Sequence, residues 1–196
     1  MASGSQPIIE EVDQRDIQSR GGHYSKYPTS HVVCSLLKQY SLKRILDVTY
    51  GQGRFYYLCR NNVEVIAVDP VKWDWVVEPK IFYKMNVYQL YSLVRDGKLA
   101  MPSVDAVVVD PPRWNVRTAY KRDMYNYLIG TPKLIIEYAS KTTVAINAEH
   151  LLVHYRELIP INGFNPVHAI KYKFYSRYLK QDGDNMSWFI LYARNR

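Results

Sequence analysis

Short apolar runs alternate with helix-like segments along most of this chain, and that alternation restricts the possible folds more than any other feature. The clearest runs are RILDV at 44–48, VEVIAV at 63–68 and VDAVVV at 104–109. Each run is short and rich in β-branched residues, which favours strands over helices. Strands separated by helices are typical of a mainly parallel sheet that is covered on both faces. We therefore predict a doubly wound α/β fold.

The remaining segments extend this pattern from Pro28 onward. Helices are predicted at about 29–39, 52–60, 87–96, 131–140 and 151–158, and further strands at 81–85, 143–146, 166–176 and 187–193. The last two strands flank the turn QDGDN at 181–185, which predicts an antiparallel pair at the edge of the sheet. The expected sheet is mostly parallel and seven-stranded, with an antiparallel edge strand.

The N-terminal residues differ in character from the rest of the chain. Residues 1–22 are polar and carry charges of both signs, so we interpret them as a mobile arm that precedes a single domain at 23–196. They lack the features of a secretory signal, and no apolar run is long enough to span a membrane. Cys34 and Cys59 form no metal-ligand pattern. Two reduced thiols in a cytoplasmic protein are the preferred interpretation, and one disulfide is the alternative.

A glycine turn follows the first strand, in the sequence Asp47-Val48-Thr49-Tyr50-Gly51-Gln52-Gly53. Without Cβ atoms, Gly51 and Gly53 permit a sharp turn and the close approach of a ligand. Asp69 ends the second strand, where a carboxylate can accept hydrogen bonds from both hydroxyls of a ribose. A dinucleotide-binding turn needs a third glycine where Tyr56 stands, and Asp47 would repel a pyrophosphate. The turn therefore favours a cationic ligand over NAD or FAD.

The sequence DVTYGQG followed by AVDP resembles the cofactor-binding signature of class I S-adenosylmethionine-dependent methyltransferases, and the resemblance runs from about Tyr27 to the C-terminus. It implies a glycine loop that binds the methionyl part of the cofactor, with Asp47 near the amino group. It also implies ribose binding by Asp69 and an adenine near Asn86, with the segment before the first strand closing over the cofactor. The residues assigned to S-adenosylmethionine in this way are Tyr27, Asp47, Thr49, Tyr50, Gly51, Gly53, Asp69 and Asn86.

A second turn, Asp110-Pro111-Pro112-Arg113-Trp114, follows the fourth strand. Its two prolines remove N–H donors, so the strand stops and its last carbonyls stay free. A carboxylate and a free carbonyl suit an amino group with two N–H bonds, because both hydrogen bonds direct the nitrogen lone pair toward a methyl donor. An aromatic ring such as that of Trp114 can stack on a flipped base. We predict catalytic roles for Asp110, Pro111, Pro112 and Trp114.

This turn resembles the Asp-Pro-Pro-aromatic tetrapeptide of methyltransferases that modify exocyclic amines of adenine and cytosine in DNA or RNA. The fourth position departs from that pattern, since it is Arg113 and Trp114 comes one later. Asp-Pro-Pro-Arg is similar to the turn of enzymes that methylate carbon 5 of uridine. Those enzymes need a cysteine nucleophile downstream of the turn, whereas the last cysteine here is Cys59. The amine acceptor is therefore the preferred prediction.

Two basic and aromatic segments predict contact with a polyanion. The formal net charge is +8 and the chain has 18 tyrosines, a combination that suits phosphate contacts beside stacked bases. The segments are 113–127 and KYKFYSRYLK at 171–180, and the second contains no acidic residue. A basic solvent-exposed face is the alternative interpretation. The predicted nucleic-acid-binding residues are Arg113, Arg117, Lys121, Arg122, Lys171, Lys173 and Arg177.

Together these features predict an S-adenosylmethionine-dependent methyltransferase that modifies an exocyclic amino group of a base in RNA or DNA. No metal is expected, because the five histidines show no ligand spacing. The domain has no space for a large target-recognition module, so we expect a protein partner or a homodimer to supply specificity. Two alternatives remain open. One is a methyltransferase that acts on protein or a small molecule, and the other is a non-catalytic nucleic-acid-binding or partner subunit with the same fold.

Overall fold

The computed structural model describes residues 6–112, 132–175 and 185–195, which form one mixed sheet of eight strands. The strands are β1 (Ile8–Asp13), β2 (Arg44–Asp47), β3 (Glu64–Val68), β4 (Ile81–Tyr83), β5 (Ala106–Val109), β6 (His150–Tyr155), β7 (Phe164–Lys173) and β8 (Met186–Arg194). Their order across the sheet is β1-β7-β8-β6-β5-β2-β3-β4. Strand β8 is antiparallel to both of its neighbours, and the other pairs are parallel.

Helices cover both faces of this sheet. They are α1 (Gln14–Gln18), α2 (Gly22–Lys26), α3 (Pro28–Gln39), a 3-10 helix (Arg54–Cys59), α4 (Val87–Arg95) and α5 (Pro132–Ala145). Strand β5 shows how the two cores arise, because alternate residues point to opposite faces. Val107 packs with residues of α4 and α5, whereas Val108 packs with residues of α1, α3 and the 3-10 helix. The predicted doubly wound α/β fold is confirmed.

The antiparallel strand and the N-terminal segment differ from the prediction. The sheet has eight strands, and β8 lies between β6 and β7 rather than at the edge. The edge position belongs to β1, which lies within the supposed mobile arm at 1–22 and pairs in parallel with β7. Ile17 of α1 is also buried in the core. Charged residues are compatible with an edge strand, because one of its sides and part of its surface face solvent.

The segment at 143–158 is also corrected. The predicted strand at 143–146 is the end of α5, and the predicted helix at 151–158 is occupied mostly by β6. Thr142 and Thr143 fit into the helix because their hydroxyls donate to the carbonyls of Tyr138 and Ala139, each at 2.8 Å. A continuous apolar run such as that of β6 does not distinguish a central strand from a buried helix by its pattern alone.

Cys34 and Cys59 form a disulfide, so the preferred prediction of two reduced thiols is wrong. The cysteines are 25 positions apart in the sequence, but α3 and the 3-10 helix pack side by side and bring them together. A second link joins the same two elements, since the Leu58 N–H donates to Ser30 Oγ at 2.9 Å.

Candidate active site

Three aspartates meet where the parallel strands end, which we call the carboxyl edge of the sheet. Asp47 is the last residue of β2, while Asp69 and Asp110 directly follow β3 and β5. These strands are neighbours in the order β5-β2-β3, so their ends lie side by side. Ligands of open α/β sheets bind at this edge. The sequence prediction that the motifs share one edge is therefore consistent with the observed topology.

The two glycines of the turn have different structural roles. Both have positive φ, +56° at Gly51 and +72° at Gly53, a region that favours glycine. A Cβ on Gly53 would collide with the Tyr50 hydroxyl and would lie 2.8 Å from the Val77 carbonyl oxygen. A Cβ on Gly51 would meet nothing within 4 Å. Gly53 is therefore required by packing within the protein, and Gly51 is the one that borders open space.

Asp47 lies beneath the turn and is only 3% exposed. Its Oδ1 accepts from the Thr49 N–H at 2.9 Å, and its Oδ2 accepts from the Tyr56 hydroxyl at 2.7 Å. Burial raises the pKa of Asp47 to about 7; the two hydrogen bonds oppose that shift, whereas the charges of Asp110 and Asp69 add to it. Asp47 thus anchors the turn from below. Tyr56, which occupies the third-glycine position, is a buried part of this anchor that the sequence did not indicate.

Asp69 is 1% exposed, and burial raises its pKa. Its Oδ2 accepts from the Gly51 N–H at 2.9 Å. Its Oδ1 accepts from the Val71 N–H at 2.8 Å and from the Trp73 indole at 3.2 Å. A carboxylate has about four acceptor positions, so the contacts with described residues leave one, on Oδ2. A ribose at this site would donate one hydrogen bond to Asp69 rather than the expected two, unless Trp73 moves away.

A direct hydrogen bond connects the glycine turn to the Asp-Pro-Pro turn. The Asp110 N–H donates to Thr49 Oγ1 at 2.7 Å. The carboxylate of Asp110 is 36% exposed and is therefore accessible from solvent. Pro111, the next residue, is buried, and Pro112 is partly buried. The structure therefore brings together Thr49 and Asp110, residues that the sequence assigned to the cofactor and the acceptor respectively.

His154 on β6 and Ser187 on β8 complete this cluster, and sequence reasoning missed both. His154 Nδ1 lies 3.0 Å from Asp110 Oδ1, and His154 Nε2 lies 2.9 Å from Ser187 Oγ. Because the carboxylate can only accept, Nδ1 carries the proton, and in the neutral imidazole Nε2 then accepts from the serine hydroxyl. The imidazole is 6% exposed and stacks on Phe189 at 4.0 Å between ring centroids. Ser187 is 1% exposed, which excludes it as a nucleophile toward a bound substrate.

Three other predicted cofactor residues have identifiable structural contacts. The Tyr50 hydroxyl donates to the Val77 carbonyl at 2.7 Å. Asn86 caps α4, where its Oδ1 accepts from the backbone N–H groups of residues 88 and 89. The Tyr27 ring lies 4.4 Å from that of Tyr57, between centroids. These contacts give each residue a role in the fold, and their contacts with a cofactor remain predictions.

The predicted nucleic-acid contacts are described only in part. Arg113, Trp114, Arg117, Lys121, Arg122 and Arg177 lie outside the described residues. Lys171 and Lys173 lie on β7, opposite Glu11 and Asp13 of β1. Lys171 Nζ is 2.7 Å from Glu11 Oε1. The segment at 171–173 therefore contains no acid itself, but acids of the neighbouring strand β1 lie beside it.

The described residues provide neither a metal-binding cluster nor a membrane-spanning helix. Those residues contain no group of three or more His, Cys, Asp or Glu side chains that could hold a metal ion. No helix among them is both long enough and apolar enough to cross a bilayer.

Comparison with known proteins identifies the fold. No protein-family model matches the sequence, and no curated protein matches it significantly. The structure is similar to that of a putative RNA methyltransferase from Pyrococcus horikoshii, with a TM-score of 0.54, 14% identity and coverage of 86% of this chain and 85% of that one. It is also similar to 1,6-didemethyltoxoflavin-N1-methyltransferase from Burkholderia thailandensis, solved with 1,6-didemethyltoxoflavin and S-adenosylhomocysteine, with a TM-score of 0.50, 10% identity and coverage of 93% and 85%. The chain therefore has the Rossmann-like fold of these methyltransferases.

Proposed function

We propose that this chain is an S-adenosylmethionine-dependent methyltransferase whose acceptor is an exocyclic amino group of a nucleic-acid base. The observation that carries the proposal is the 2.7 Å hydrogen bond from the Asp110 N–H to Thr49 Oγ1. It joins a turn suited to the methyl donor with a carboxylate suited to the acceptor. Direct displacement needs the two reactants aligned at a fixed separation, and this bond fixes the separation of their binding elements.

The charges at the carboxyl edge fit S-adenosylmethionine better than a dinucleotide. Asp47, Asp69 and Asp110 converge there, and the hydrogen-bond donors to Asp47 and Asp69 among the described residues are neutral. Such a site attracts the sulfonium and ammonium groups of S-adenosylmethionine and repels a pyrophosphate. Gly51 leaves space for a ligand beside the turn. When bound, S-adenosylmethionine supplies an electrophilic methyl carbon.

Asp110 has a side chain suited to binding the acceptor amine. Its Oδ1 is engaged by His154, and its Oδ2 accepts no hydrogen bond among the described residues. Oδ2 can therefore accept from an amine N–H, which directs the nitrogen lone pair toward the methyl carbon. The N–C bond forms as the C–S bond breaks, the C–S electron pair stays on sulfur, and the nitrogen releases one proton toward the carboxylate. This hydrogen bond strengthens as positive charge develops on nitrogen, so it favours the transition state.

The acceptor class rests on the Asp-Pro-Pro turn and the basic charge of the chain rather than on the structural similarities. The names of the two similar proteins refer to an RNA and to a small molecule, so the shared fold does not select an acceptor. The turn suits an amine with two N–H bonds, and the net charge of +8 suits a polyanion that carries it. Target selection by a protein partner or a second copy of the chain is part of the same proposal.

One observation favours a second candidate function, a non-catalytic nucleic-acid-binding subunit with the same fold. The Trp73 indole donates to Asp69 Oδ1, which fills a position that a ribose hydroxyl would use. A chain that had lost cofactor binding would tolerate such a contact. Direct measurement of S-adenosylmethionine binding separates the two candidates.

Labelled methyl transfer tests the proposal. The wild-type chain is incubated with labelled S-adenosylmethionine and with separate DNA, tRNA, rRNA and protein pools, and the labelled product is analysed by nucleoside mass spectrometry. We expect a methyl group on an exocyclic amine, and a rate at least about 100-fold lower for Asp110→Ala. Asp96→Ala is the matched control, because Asp96 is an exposed acid distant from the carboxyl edge, after α4.

Other results would contradict the proposal in different ways. A methyl group on a ring carbon or a ribose oxygen would exclude the amine mechanism, as would full activity of Asp110→Ala. Labelled protein with unlabelled nucleic acid would reassign the acceptor. Failure to bind S-adenosylmethionine would favour the second candidate function.

A further inference from the structure

We propose that a surface formed by α2, the 3-10 helix and residues next to each of them binds single-stranded nucleic acid. This surface, called the N-terminal basic surface below, is defined by Arg20, His23, Tyr24, Lys26, Tyr57 and Arg60. The inference rests on the proposed function for its biological meaning. The binding itself is independent of methyl transfer and can be measured without it.

Cations and aromatic rings are interleaved on this surface. The Arg60 guanidinium lies 4.4 Å from the centroid of the Tyr57 ring, and that of Arg20 lies 5.6 Å from the centroid of Tyr24. The Tyr57 ring also lies 4.8 Å from the ring of His23. Proteins that bind single strands combine positive side chains along the phosphates with aromatic faces on which bases stack. The observed arrangement supplies both kinds of group.

Within the part of the chain that the structure describes, Arg20, Lys26 and Arg60 form no ion pair with an acid. Asp47 is the only acidic residue between Ile17 and Val63, and it is buried beneath the glycine turn. Arg20 Nη1 lies 3.3 Å from His31 Nε2, so a basic side chain has an imidazole rather than a carboxylate as its neighbour. The contrast with β7 is direct, because Lys171 there is paired with Glu11. Uncompensated cations are the ones that release counterions when a phosphate binds.

The N-terminal basic surface adjoins the candidate active site through the 3-10 helix. Phe55 of that helix lies 5.8 Å from the His154 ring, between centroids, and His154 bonds to Asp110. Tyr57 lies two residues further along the same helix. The 3-10 helix therefore contributes both to the N-terminal basic surface and to the packing around His154. Stacking on tyrosine requires unpaired bases, which is why the partner is a single strand rather than a duplex.

The test measures the affinity of the full chain for a fluorescent 20-nucleotide single strand, as RNA and as DNA, by anisotropy over a salt series without S-adenosylmethionine. The triple variant Arg20→Glu, Lys26→Glu and Arg60→Glu reverses three charges of the surface. The matched control, Lys38→Glu, Lys43→Glu and Lys98→Glu, makes the same charge change at exposed positions outside this surface. We expect the surface triple to bind at least about tenfold more weakly than the control, with a salt slope lower by about 2.

Two further variants keep the test decisive if the triple variant does not fold. Lys26→Gln with Arg60→Gln removes two charges without adding acids and should lower the salt slope by about 1.4. Tyr57→Ala should weaken binding by about tenfold and leave the salt slope unchanged, because it removes stacking and no charge. Thermal unfolding of each variant verifies the fold.

Each outcome supports or overturns the inference. An equal loss of oligonucleotide affinity in the surface and control variants would mean that only net charge matters, and would overturn the inference. Absence of binding by the wild type, or equally tight binding of a duplex, would also overturn it. An acidic protein as the sole ligand of this surface would replace the proposed partner. If the surface triple binds the oligonucleotide more weakly while the wild type transfers no methyl group, the inference is supported and only the proposed function is contradicted. If the wild type transfers methyl groups and the surface triple binds the oligonucleotide normally, the proposed function stands and the inference is overturned.

Discussion

The acidic side chains at the two ends of the parallel strands have opposite environments. At the amino edge, where the strands begin, Glu64 lies 3.0 Å from the Arg44 Nε and also contacts the Lys80 ammonium. The hydrogen bond from Lys80 lowers the pKa of Glu64, and the charge of Arg44 adds to this shift. At the carboxyl edge, Asp47 and Asp69 are buried without a cation as hydrogen-bond donor among the described residues, and burial raises the pKa of both.

This difference indicates which edge is adapted to a ligand. Paired surface acids contribute modestly to stability, whereas buried carboxylates without a counterion reduce it. Residues that reduce stability and cluster at a binding edge are typical of functional sites. The acids of the amino edge therefore stabilise the fold, whereas the buried carboxylates of the carboxyl edge are suited to binding a cationic ligand. Four changes test this comparison.

Asp69→Ala should have the largest effect of the four, on cofactor affinity. The loss of one hydrogen bond to a charged acceptor costs roughly 1.5–3 kcal/mol, so binding of S-adenosylmethionine and S-adenosylhomocysteine should weaken by about 10- to 100-fold. Calorimetry measures both ligands. Asp74→Ala, at an exposed acid of the same loop, is the control and should bind normally. Unchanged affinity in Asp69→Ala, or binding of NAD by the wild type, would remove the carboxyl edge from cofactor recognition.

His154→Leu should lower kcat by about tenfold through the loss of one hydrogen bond to Asp110, without changing cofactor affinity. His154 acts as a positioning residue, since it contacts the Asp110 carboxylate and not the reacting atoms. His154→Asn retains an N–H near the position of Nδ1 and should recover part of the rate. Steady-state kinetics separates kcat from KM. Equal activity of the Leu and Asn variants would mean that the imidazole serves packing on Phe189 alone.

Asp47→Asn should change the pH dependence of stability. The pKa of Asp47 rises from 3.8 to about 7 on folding, so between these values the folded state binds more protons than the unfolded state. Stability from this group is therefore present below pH 4 and is lost as the pH rises to 7. The variant should lack this loss and exceed the wild type at pH 8 by on the order of 1 kcal/mol. Urea unfolding at pH 5 and pH 8 measures the free energy of unfolding of both proteins. If it changes equally with pH in the two proteins, ionisation of Asp47 does not destabilise the fold.

Glu64→Gln should have the smallest effect and the opposite sign. Because the folded pKa of Glu64 is lowered, its ion pairs stabilise the protein at neutral pH and lose that contribution as the pH falls through the folded pKa. The variant should unfold at a slightly lower temperature at pH 7, by an amount that shrinks in high salt. Its cofactor affinity should equal that of the wild type. A higher unfolding temperature would mean that the amino edge also contains destabilising acids.

Local patterns in the sequence were sufficient to predict β2, β3, β4 and β5, the parallel strands on one side of the sheet. Runs such as 44–48 and 104–109 are bounded by turn residues, and a parallel strand places whatever follows it at the carboxyl edge. Asp47, Asp69 and Asp110 could therefore be assigned to one edge without coordinates. The same locality explains why α4 was predicted within one residue of its observed bounds.

Long-range pairing accounts for what the sequence did not reveal. His154 and Ser187 meet because β6 and β8 are antiparallel neighbours, a relation that no local spacing encodes. Glu11 reaches Lys171 because residues 8–13 add a strand beside β7, so an acid-free segment acquires an acidic neighbour. The contact of Tyr56 was missed as well. The sequence showed only that Tyr56 replaces a glycine of the dinucleotide motif, and not that its hydroxyl donates to Asp47.

The bridge between Cys34 and Cys59 has a consequence for recognition by the N-terminal basic surface. One half of that surface, at residues 20–26, directly precedes α3. The other half, Tyr57 and Arg60, lies in and just after the 3-10 helix, which the bridge attaches to α3. Without this attachment, a flexible strand would have to order two separate protein segments as it bound, and the lost conformational freedom would weaken the complex. With it, the freedom of both segments is already lost when the chain folds. The bridge thus makes the surface a preassembled platform, on which only the nucleic acid has to become ordered.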